Sequence, residues 1–226
     1  MAAGLQQRTF EELLHQGRYL YPTRVVGVIE RFHSVPGPGV PRDLVASYAS
    51  EVFRRLGRRA PYTTAQFERL LEGRVAEIDL WLPDALYEVG HGRVSVYPPG
   101  WHRRLSGERD PVEYVRVIAD DLAAARGLGE SEPRPPVPKQ TLIDALIVLG
   151  GVDRPTAGGI VQSARLAGRL VVEPFQNPSA SVWIAGADPA RRRADTSAPA
   201  GPVDDRGAGP DGARRERRGT AGPRAP

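Results

Sequence analysis

The stretch Lys139-Gln-Thr-Leu-Ile-Asp-Ala-Leu-Ile-Val-Leu149 opens the part of the sequence that decides the fold. It predicts an apolar helix ended by a pair of glycines, and Asp153 predicts the N-cap of a second helix. The pair Gly158-Gly159 inside that second helix predicts either close packing or a short turn that splits it. Residues 169–173 and 181–185 read as strands of a β-hairpin. Two helices followed by a hairpin therefore form the last folded block.

Upstream of this block, the sequence predicts short helices interrupted by glycine and proline. Caps and apolar spacing predict helices that begin at Thr9, run from Thr23 to His33, run from Arg42 to Leu56, follow a cap at Thr63, run from Glu77 or Pro83 to Val89, and run from Pro111 to Ala125. Arg93 to Tyr97 alternates as a strand that Pro98-Pro-Gly100 closes. The sequence thus predicts a mostly α protein with small β-hairpins, an α+β fold.

Composition divides the chain into segments. We expect an N-terminal helical segment (1–34), a first folded block (42–105), a connecting helix (111–128), a stiff proline-rich linker (129–138), a second folded block (139–186) and a tail (187–226). The tail contains Val203 as its one large apolar residue and has no aromatic residue. It cannot bury enough surface to offset its ordering entropy, so we expect it to be disordered.

One internal match relates the two blocks. Gly92-Arg-Val-Ser-Val-Tyr-Pro98 and Gly168-Arg-Leu-Val-Val-Glu-Pro174 share glycine, arginine, a valine and proline at corresponding positions. Either the blocks arose by duplication, or both segments are the ordinary junction of a helix, a glycine cap and a strand. The sequence leaves both explanations open.

The charge and the cysteine content limit the possible functions. The net charge is +4, but residues 187–226 hold nine arginines against six acidic residues, so the preceding 186 residues carry only +1. Basicity of the whole chain is therefore no argument that the body binds nucleic acid. The absence of cysteine excludes disulfides and thiolate metal sites. With no apolar run of about 20 residues, we expect a soluble, cytoplasmic protein without a cofactor.

No catalytic motif is recognisable. His15, His33, His91 and His102 lie on separate segments without the spacing of a metal site, so we expect no metal. Asp120-Asp121 are adjacent helical positions about 100° apart, which indicates a solvated face rather than a carboxylate pair. The sequence predicts a protein that is not an enzyme.

Residues 139–185 resemble a winged helix-turn-helix domain. The resemblance rests on the helix Lys139 to Leu149, the helix Ile160-Val-Gln-Ser-Ala-Arg-Leu-Ala167, and the hairpin made by Gly168 to Pro174 and Val182-Trp-Ile184. Residues 42–98 resemble the same superfamily more weakly: they supply the helices but show no obvious returning strand. The short connection from Gly150 to Pro155 departs from the family pattern, because it leaves no room for a separate helix. The resemblance implies tandem winged-helix-like modules.

A winged-helix reading implies a noncatalytic DNA-binding protein that serves transcription, replication or chromosome maintenance. DNA contact needs polar and basic groups on the last helix and the wing. The candidates that the sequence offers are Lys139, Arg154, Gln162, Arg165 and Arg169, with Arg93 in the first block. The alternative is a protein–protein adaptor, because winged helices also serve as docking modules and the body is nearly neutral. We therefore expect DNA, or another protein, as the partner.

Overall fold

The computed structural model describes residues 4–33, 35–174, 177 and 179–186. Within these residues it contains eight α-helices and two small sheets. This confirms the expected α+β class, mostly helical with short strands. The expectation of a disordered tail concerns residues 187–226, which lie outside the described residues.

The first half of the chain is built on four of the predicted helices: α1 (Gln7–Gln16), α2 (Pro22–Phe32), α3 (Arg42–Leu56) and α4 (Thr64–Glu72). Helix α3 has the predicted bounds, and it ends at Gly57, whose positive φ of 55° suits a residue without a Cβ atom. Helix α1 begins earlier than predicted. Thr9 is buried inside it rather than serving as the cap.

A four-stranded sheet completes the first half, made of β1 (Val40–Pro41), β2 (Val75–Ala76), β3 (Leu86–Glu88) and β4 (Arg93–Ser95) in the order β1-β4-β3-β2. The prediction of a helix between Glu77 and Val89 is wrong, because this segment contains strand β3 and no helix. Leu86 is buried in one core and Tyr87 in another, so apolar residues on both faces of a strand resemble a helical pattern. Strand β3 pairs antiparallel with β4 and supplies the second strand that the sequence seemed to lack.

The second half consists of α5 (Pro99–Leu105), α6 (Pro111–Ala125), β5 (Val137–Pro138), α7 (Lys139–Val148), α8 (Arg154–Leu166), β6 (Leu170–Glu173) and β7 (Ser181–Ile184). The strands form a sheet in the order β5-β7-β6. Helix α5 was not predicted, because Pro98-Pro-Gly100 looks like a helix breaker. Pro99 instead occupies the first turn, where its missing N–H is not needed.

The two halves repeat one topology. The first repeat runs α2-β1-α3-α4-β2-β3-β4 and the second repeat runs α6-β5-α7-α8-β6-β7, so the two orders agree apart from β2, which has no counterpart in the second repeat. In each repeat the first strand pairs antiparallel with the last, which also pairs with the strand before it. The match between residues 92–98 and 168–174 does not trace this repeat, because it aligns β4 with β6, which are the last strand of one repeat and the second of the other.

Each repeat has its own core. The first core joins α1 to α4 with Leu86 and Val94, and the second joins α6, α7 and α8 with β5 to β7 and two stacked tryptophans, Trp81 and Trp101. Helix α6, expected to be a connecting helix, buries eight of its residues, six of which belong to the second core. The segment expected as a linker ends in β5, which pairs with β7. Helix α6 is therefore the first helix of the second repeat, and α7 and α8 are its second and third.

Helix α8 is continuous through Gly158 and Gly159, so the predicted split does not occur. Close packing does not explain these glycines either. A Cβ atom placed on either residue would meet no atom within 4 Å. The glycine pair faces open space on the outside of the helix.

The repeats meet where α2 packs against α7. Arg31 on α2 and Asp144 on α7 form an ion pair of 3.1 Å, with side-chain exposures of 13% and 16%. The same carboxylate accepts hydrogen bonds from Arg154 (3.0 Å) and Gln140 (2.8 Å). Asp144 thereby fixes α2, α7 and the start of α8 relative to one another.

Within the described part of the chain, no helix combines the length and the apolar character that crossing a bilayer requires.

Candidate nucleic-acid interface

The candidate residues of the second repeat are largely engaged in contacts within the protein. Arg154 pairs with Asp144, as described above. The backbone N–H of Lys139 donates to the carbonyl of Ala180, which ties the start of α7 to the hairpin. Lys139 is half-buried in this position.

Arg169, Gln162 and Arg165 also form contacts within the protein. The Arg169 guanidinium donates to both carboxylate oxygens of Asp110, at 2.8 and 2.6 Å, and thereby joins the base of the hairpin to the N-cap of α6. Gln162 and Arg165 lie together on α8, where Arg165 Nε donates to Gln162 Oε1 at 3.2 Å. The structure brings these last two candidates together and assigns Arg169 to an internal bridge.

Arg93 holds a loop in place. Its guanidinium donates to the carbonyl oxygens of Pro36, Pro38 and Gly39, at 2.7 to 2.9 Å. These bonds fasten the connector before β1 onto β4. All three acceptors are main-chain oxygens, so the side chain has a structural role at this position.

Among the residues that the structure describes, the densest group of exposed arginines lies in the first repeat. Helix α3 ends with Arg54 and Arg55, and the single 3-10 turn that follows it contains Arg58 and Arg59. All four side chains are exposed. In the described residues Arg54 pairs with Glu51, whereas Arg55, Arg58 and Arg59 form no ion pair. We call these four arginines the basic turn.

The second repeat has no counterpart of the basic turn. Its corresponding connection, Leu149-Gly-Gly-Val-Asp153, contains no basic residue, and the last turn of α7 has none either. The two repeats share a topology but differ in charge at the same place. The basic turn is absent from the predicted site residues because its sequence follows Gly57, where the pattern predicts only the end of α3. The signal was four arginines within six residues.

Helix α4 follows the basic turn and is firmly anchored. Thr63 and Gln66 form a capping box, in which each side chain bonds to the backbone N–H of the other residue. Phe67 and Leu71 are buried beneath the helix. The outer face of α4 consequently presents Gln66, Glu68 and Arg69 to solvent.

The outer face of α8 differs from that of α4. Between Arg154 and Arg165 its exposed positions are all uncharged: Pro155, Thr156, Gly159 and Ser163. One turn further on, Leu166 is 71% exposed. The third helix of the second repeat is thus weakly polar where that of the first is charged.

The hairpin of the first repeat ends in a tight, exposed loop. Gly90, His91 and Gly92 all have positive φ, at 91°, 55° and 67°. Histidine adopts this conformation less readily than glycine. His91 is held at the tip of the hairpin, in contact with solvent.

A polar cluster joins α2, β4 and α5, and no sequence motif indicates it. His102 Nε2 is 2.8 Å from Ser95 Oγ, and the Glu30 carboxylate accepts from the backbone N–H of Val96 at 3.2 Å. Burial raises the pKa of Glu30 to about 7. Hydrogen bonds from Ser95 and Val96 lower the pKa and so offset part of this rise. Burial also lowers the pKa of His102 to about 4.

A serine beside a histidine invites comparison with hydrolase sites, but the geometry does not favour that chemistry. Ser95 is fully buried, and its Oγ already accepts from the backbone N–H of Tyr97 at 3.0 Å. A nucleophile must be reachable by its substrate. The neighbouring cavity of about 670 Å³ is lined by Glu30 and His102 but not by Ser95. The cluster therefore acts as a hydrogen-bonded support that joins α2, β4 and α5.

Asp120 and Asp121 take different positions, and only Asp121 departs from the solvated face expected from the sequence. Asp121 Oδ2 accepts from the backbone N–H of Trp81 at 2.8 Å and from the indole N–H of Trp101 at 2.9 Å. Asp120 is 45% exposed and pairs with Arg134 at the surface. Asp121 is therefore a support within the protein, whereas Asp120 remains in contact with solvent.

Among the residues that the structure describes, no group of three or more histidine, aspartate and glutamate side chains could hold a metal ion. The candidate interface is accordingly defined by its geometry and charge: the basic turn, the outer face of α4 and the exposed hairpin loop. No protein-family model, no curated protein and no solved structure matches this chain.

Proposed function

We propose that this is a noncatalytic DNA-binding protein made of two winged-helix modules, and that the first module makes the DNA contact. The assignment of modules is supported by the order of helix, strand, two helices and two strands, with the first strand paired to the last, which both repeats share apart from the additional strand β2 in the first. Helices α4 and α8 then occupy the recognition position, and the β3–β4 and β6–β7 hairpins are the wings. The cytoplasmic location expected from the sequence belongs to the same proposal.

One observation carries the choice of module. The turn before the recognition helix holds Arg54, Arg55, Arg58 and Arg59 in the first repeat and no basic residue in the second. Phosphate contacts by arginine supply most of the nonspecific affinity for DNA. An exposed arginine without an internal partner is free to make such contacts. The first module meets this requirement better than the second, whose Arg154 and Arg169 are both paired.

The same geometry suggests how the first module reads DNA. The basic turn contacts phosphates and sets the orientation, while α4 enters the major groove. Its outer residues Glu68 and Arg69 are side chains that recognise cytosine and guanine edges respectively, while Gln66 remains in the capping box. The loop at His91 extends from the same module and reaches an adjacent part of the duplex.

The proposal is tested by comparing paired substitutions in a duplex-DNA titration at several salt concentrations. Arg58→Ala with Arg59→Ala removes two phosphate contacts, so the slope of log K against log[salt] decreases in magnitude by about two. Arg103→Ala with Arg104→Ala removes the same charge from α5 and is the matched control. Arg165→Ala with Arg169→Ala tests the second module. We expect a large loss of affinity only for the first pair.

A loss of affinity confined to the Arg165 and Arg169 pair would transfer DNA binding to the second module. Equal binding by all variants would contradict the proposal for both modules.

A protein–protein adaptor is the second candidate function, and one observation favours it. Between Arg154 and Arg165 the exposed positions of α8 are uncharged, and the exposed Leu166 follows them. Such a face suits protein contact better than phosphate contact. If the full chain fails to bind duplex DNA at low salt, the adaptor role is the one that the structure still supports.

A further inference from the structure

Two exposed tyrosines lie on the segment between α1 and α2. Tyr19 and Tyr21 are 53% and 52% exposed, and they are the only aromatic side chains among the strongly exposed large apolar residues of the described chain. Leu20 between them is 1% exposed and anchors the segment in the first core. Pro22 then begins α2. The tyrosines are thus held outward on a fixed backbone.

Arginine flanks both tyrosines in the sequence Arg18-Tyr-Leu-Tyr-Pro-Thr-Arg24. The Arg18 guanidinium lies over the ring of Tyr19, 5.0 Å from its centroid, and donates to its hydroxyl at 2.9 Å. Arg24 is exposed on α2. Neither arginine forms an ion pair within the described residues. Positive charge and aromatic surface therefore occur together.

A cavity of about 330 Å³ opens beside Tyr21. This volume is near the lower end of the range for small-ligand sites, roughly 300 to 1,000 Å³. Thr23, Arg24 and Asp84 contribute polar groups to its wall, and Trp81 and Val96 contribute apolar surface. Asp144 also lines the cavity, but Arg31 and Arg154 already neutralise it. A flat ring with polar edges matches this lining.

We propose that Tyr19 and Tyr21 form a stacking platform for unpaired DNA bases, so that the protein binds single-stranded DNA as well as duplex DNA. The bases of an intact duplex are covered by their neighbours and offer no free face, whereas an unpaired strand offers one at every nucleotide. Aromatic stacking beside arginine is how proteins bind single strands with little sequence preference. This inference rests on the proposed DNA-binding function and adds a second form of DNA to it.

The test uses the full chain with a single-stranded oligonucleotide and with a duplex of the same length. Tyr19→Ala with Tyr21→Ala removes the platform, while Tyr19→Phe with Tyr21→Phe keeps both rings. We expect the alanine pair to lower single-strand affinity about tenfold or more and to leave duplex affinity unchanged. The phenylalanine pair should bind as the parent does. Equal thermal unfolding of parent and variants shows that the fold is kept.

A 2-aminopurine base in the strand supplies a second readout, because its fluorescence falls when it stacks. The parent and the phenylalanine pair should quench it and the alanine pair should not. Unchanged single-strand affinity of the alanine pair, or equal loss in the phenylalanine pair, would overturn the platform. An RNA strand bound more tightly than DNA would overturn the choice of ligand.

Failure of this inference is distinguishable from failure of the proposed function. A parent chain that binds duplex but not single strands refutes the platform alone. A parent chain that binds neither refutes DNA binding itself.

Discussion

At the scale of single residues, Arg93 shows that a basic side chain can stabilise the fold instead of binding a partner. Its three bonds to main-chain carbonyls fasten the proline- and glycine-rich connector before β1. The guanidinium provides several donors in a fixed plane, which an ammonium group cannot imitate. A sequence cannot separate this use of arginine from phosphate binding, because the partners are backbone atoms of residues more than 50 positions away.

Arg93→Ala should therefore lower the free energy of unfolding by about 2 kcal/mol, measured by urea denaturation. Arg93→Lys should recover only a small part of this loss. Arg104→Ala, on the exposed side of α5, serves as the control and should change stability little. A stable Arg93→Ala variant with weakened DNA binding would contradict the structural role.

Glu30 and His102 give the stability a characteristic pH dependence. The pKa of Glu30 is about 7 in the folded chain and near 4.5 when unfolded, so the folded state binds more protons between these values. The contribution of Glu30 to stability is therefore lost as the pH rises from about 4.5 to about 7. His102 has the opposite effect. Its folded pKa of about 4 lies below 6.5, so stability increases as the pH rises from about 4 to 6.5.

Substituting Glu30 and substituting His102 should change the pH dependence of stability in opposite directions. Relative to the parent, Glu30→Gln should be increasingly stabilised as the pH rises from 4.5 to 7, by up to about 3 kcal/mol. His102→Asn should lose the stability that the parent gains over pH 4 to 6.5. Urea denaturation at several pH values measures both differences. Parallel pH curves for the parent and Glu30→Gln would contradict the burial of that carboxyl group.

At the scale of elements, the sequence predicted helices best where one face alone is buried. Helices α3 and α6 have the predicted bounds because their apolar residues recur at the helical period and their ends carry glycine or an Asp cap. Strand β3 was mistaken for a helix because it contacts two cores. Strands β1 and β5 are two residues long and form only through pairing with β4 and β7, which lie far away in the sequence.

The glycine pair in α8 provides a test at this scale. Gly158→Ala and Gly159→Ala should each increase the free energy of unfolding by about 1 kcal/mol, because alanine favours the helix and meets no neighbouring atom. Gly150→Ala is the contrasting control. Its Cβ would lie 2.6 Å from the carbonyl oxygen of Leu146, so this variant should be destabilised. Destabilisation by alanine at 158 or 159 in thermal unfolding would show that α8 is not a plain exposed helix there.

At the scale of the whole molecule, Asp144 links the two repeats. It pairs with Arg31 across the joint, and both side chains are mostly buried. Removing one partner of a mostly buried pair leaves an uncompensated charge. Asp144→Asn should lower the free energy of unfolding by about 3 kcal/mol.

A double-mutant cycle with Arg31→Met isolates the pair. The double variant should be more stable than the sum of the two single losses predicts. Additive losses in urea denaturation would show that the pair does not couple the repeats.

The candidate site was only partly predictable at this scale. The winged-helix resemblance directed attention to residues 139–185, whereas the two halves share their order of helices and strands apart from β2. The difference between the halves appears only when equivalent connections are compared, which requires knowing that α3 corresponds to α7 and α4 to α8. The ion pairs of Arg154 and Arg169 are long-range or cross an element boundary. The apolar periodicity of the sequence therefore does not predict them.

The most direct test of the DNA-binding claim is the salt dependence of duplex binding by the full chain, with a chain ending at Gly186 measured in parallel. Three unpaired arginines in the basic turn predict that log K falls linearly with log[salt] at a slope of about −3. The shortened chain should retain this slope, because the basic turn lies in the first repeat. No binding at low salt, or a slope that disappears when residues 187–226 are removed, would contradict the account.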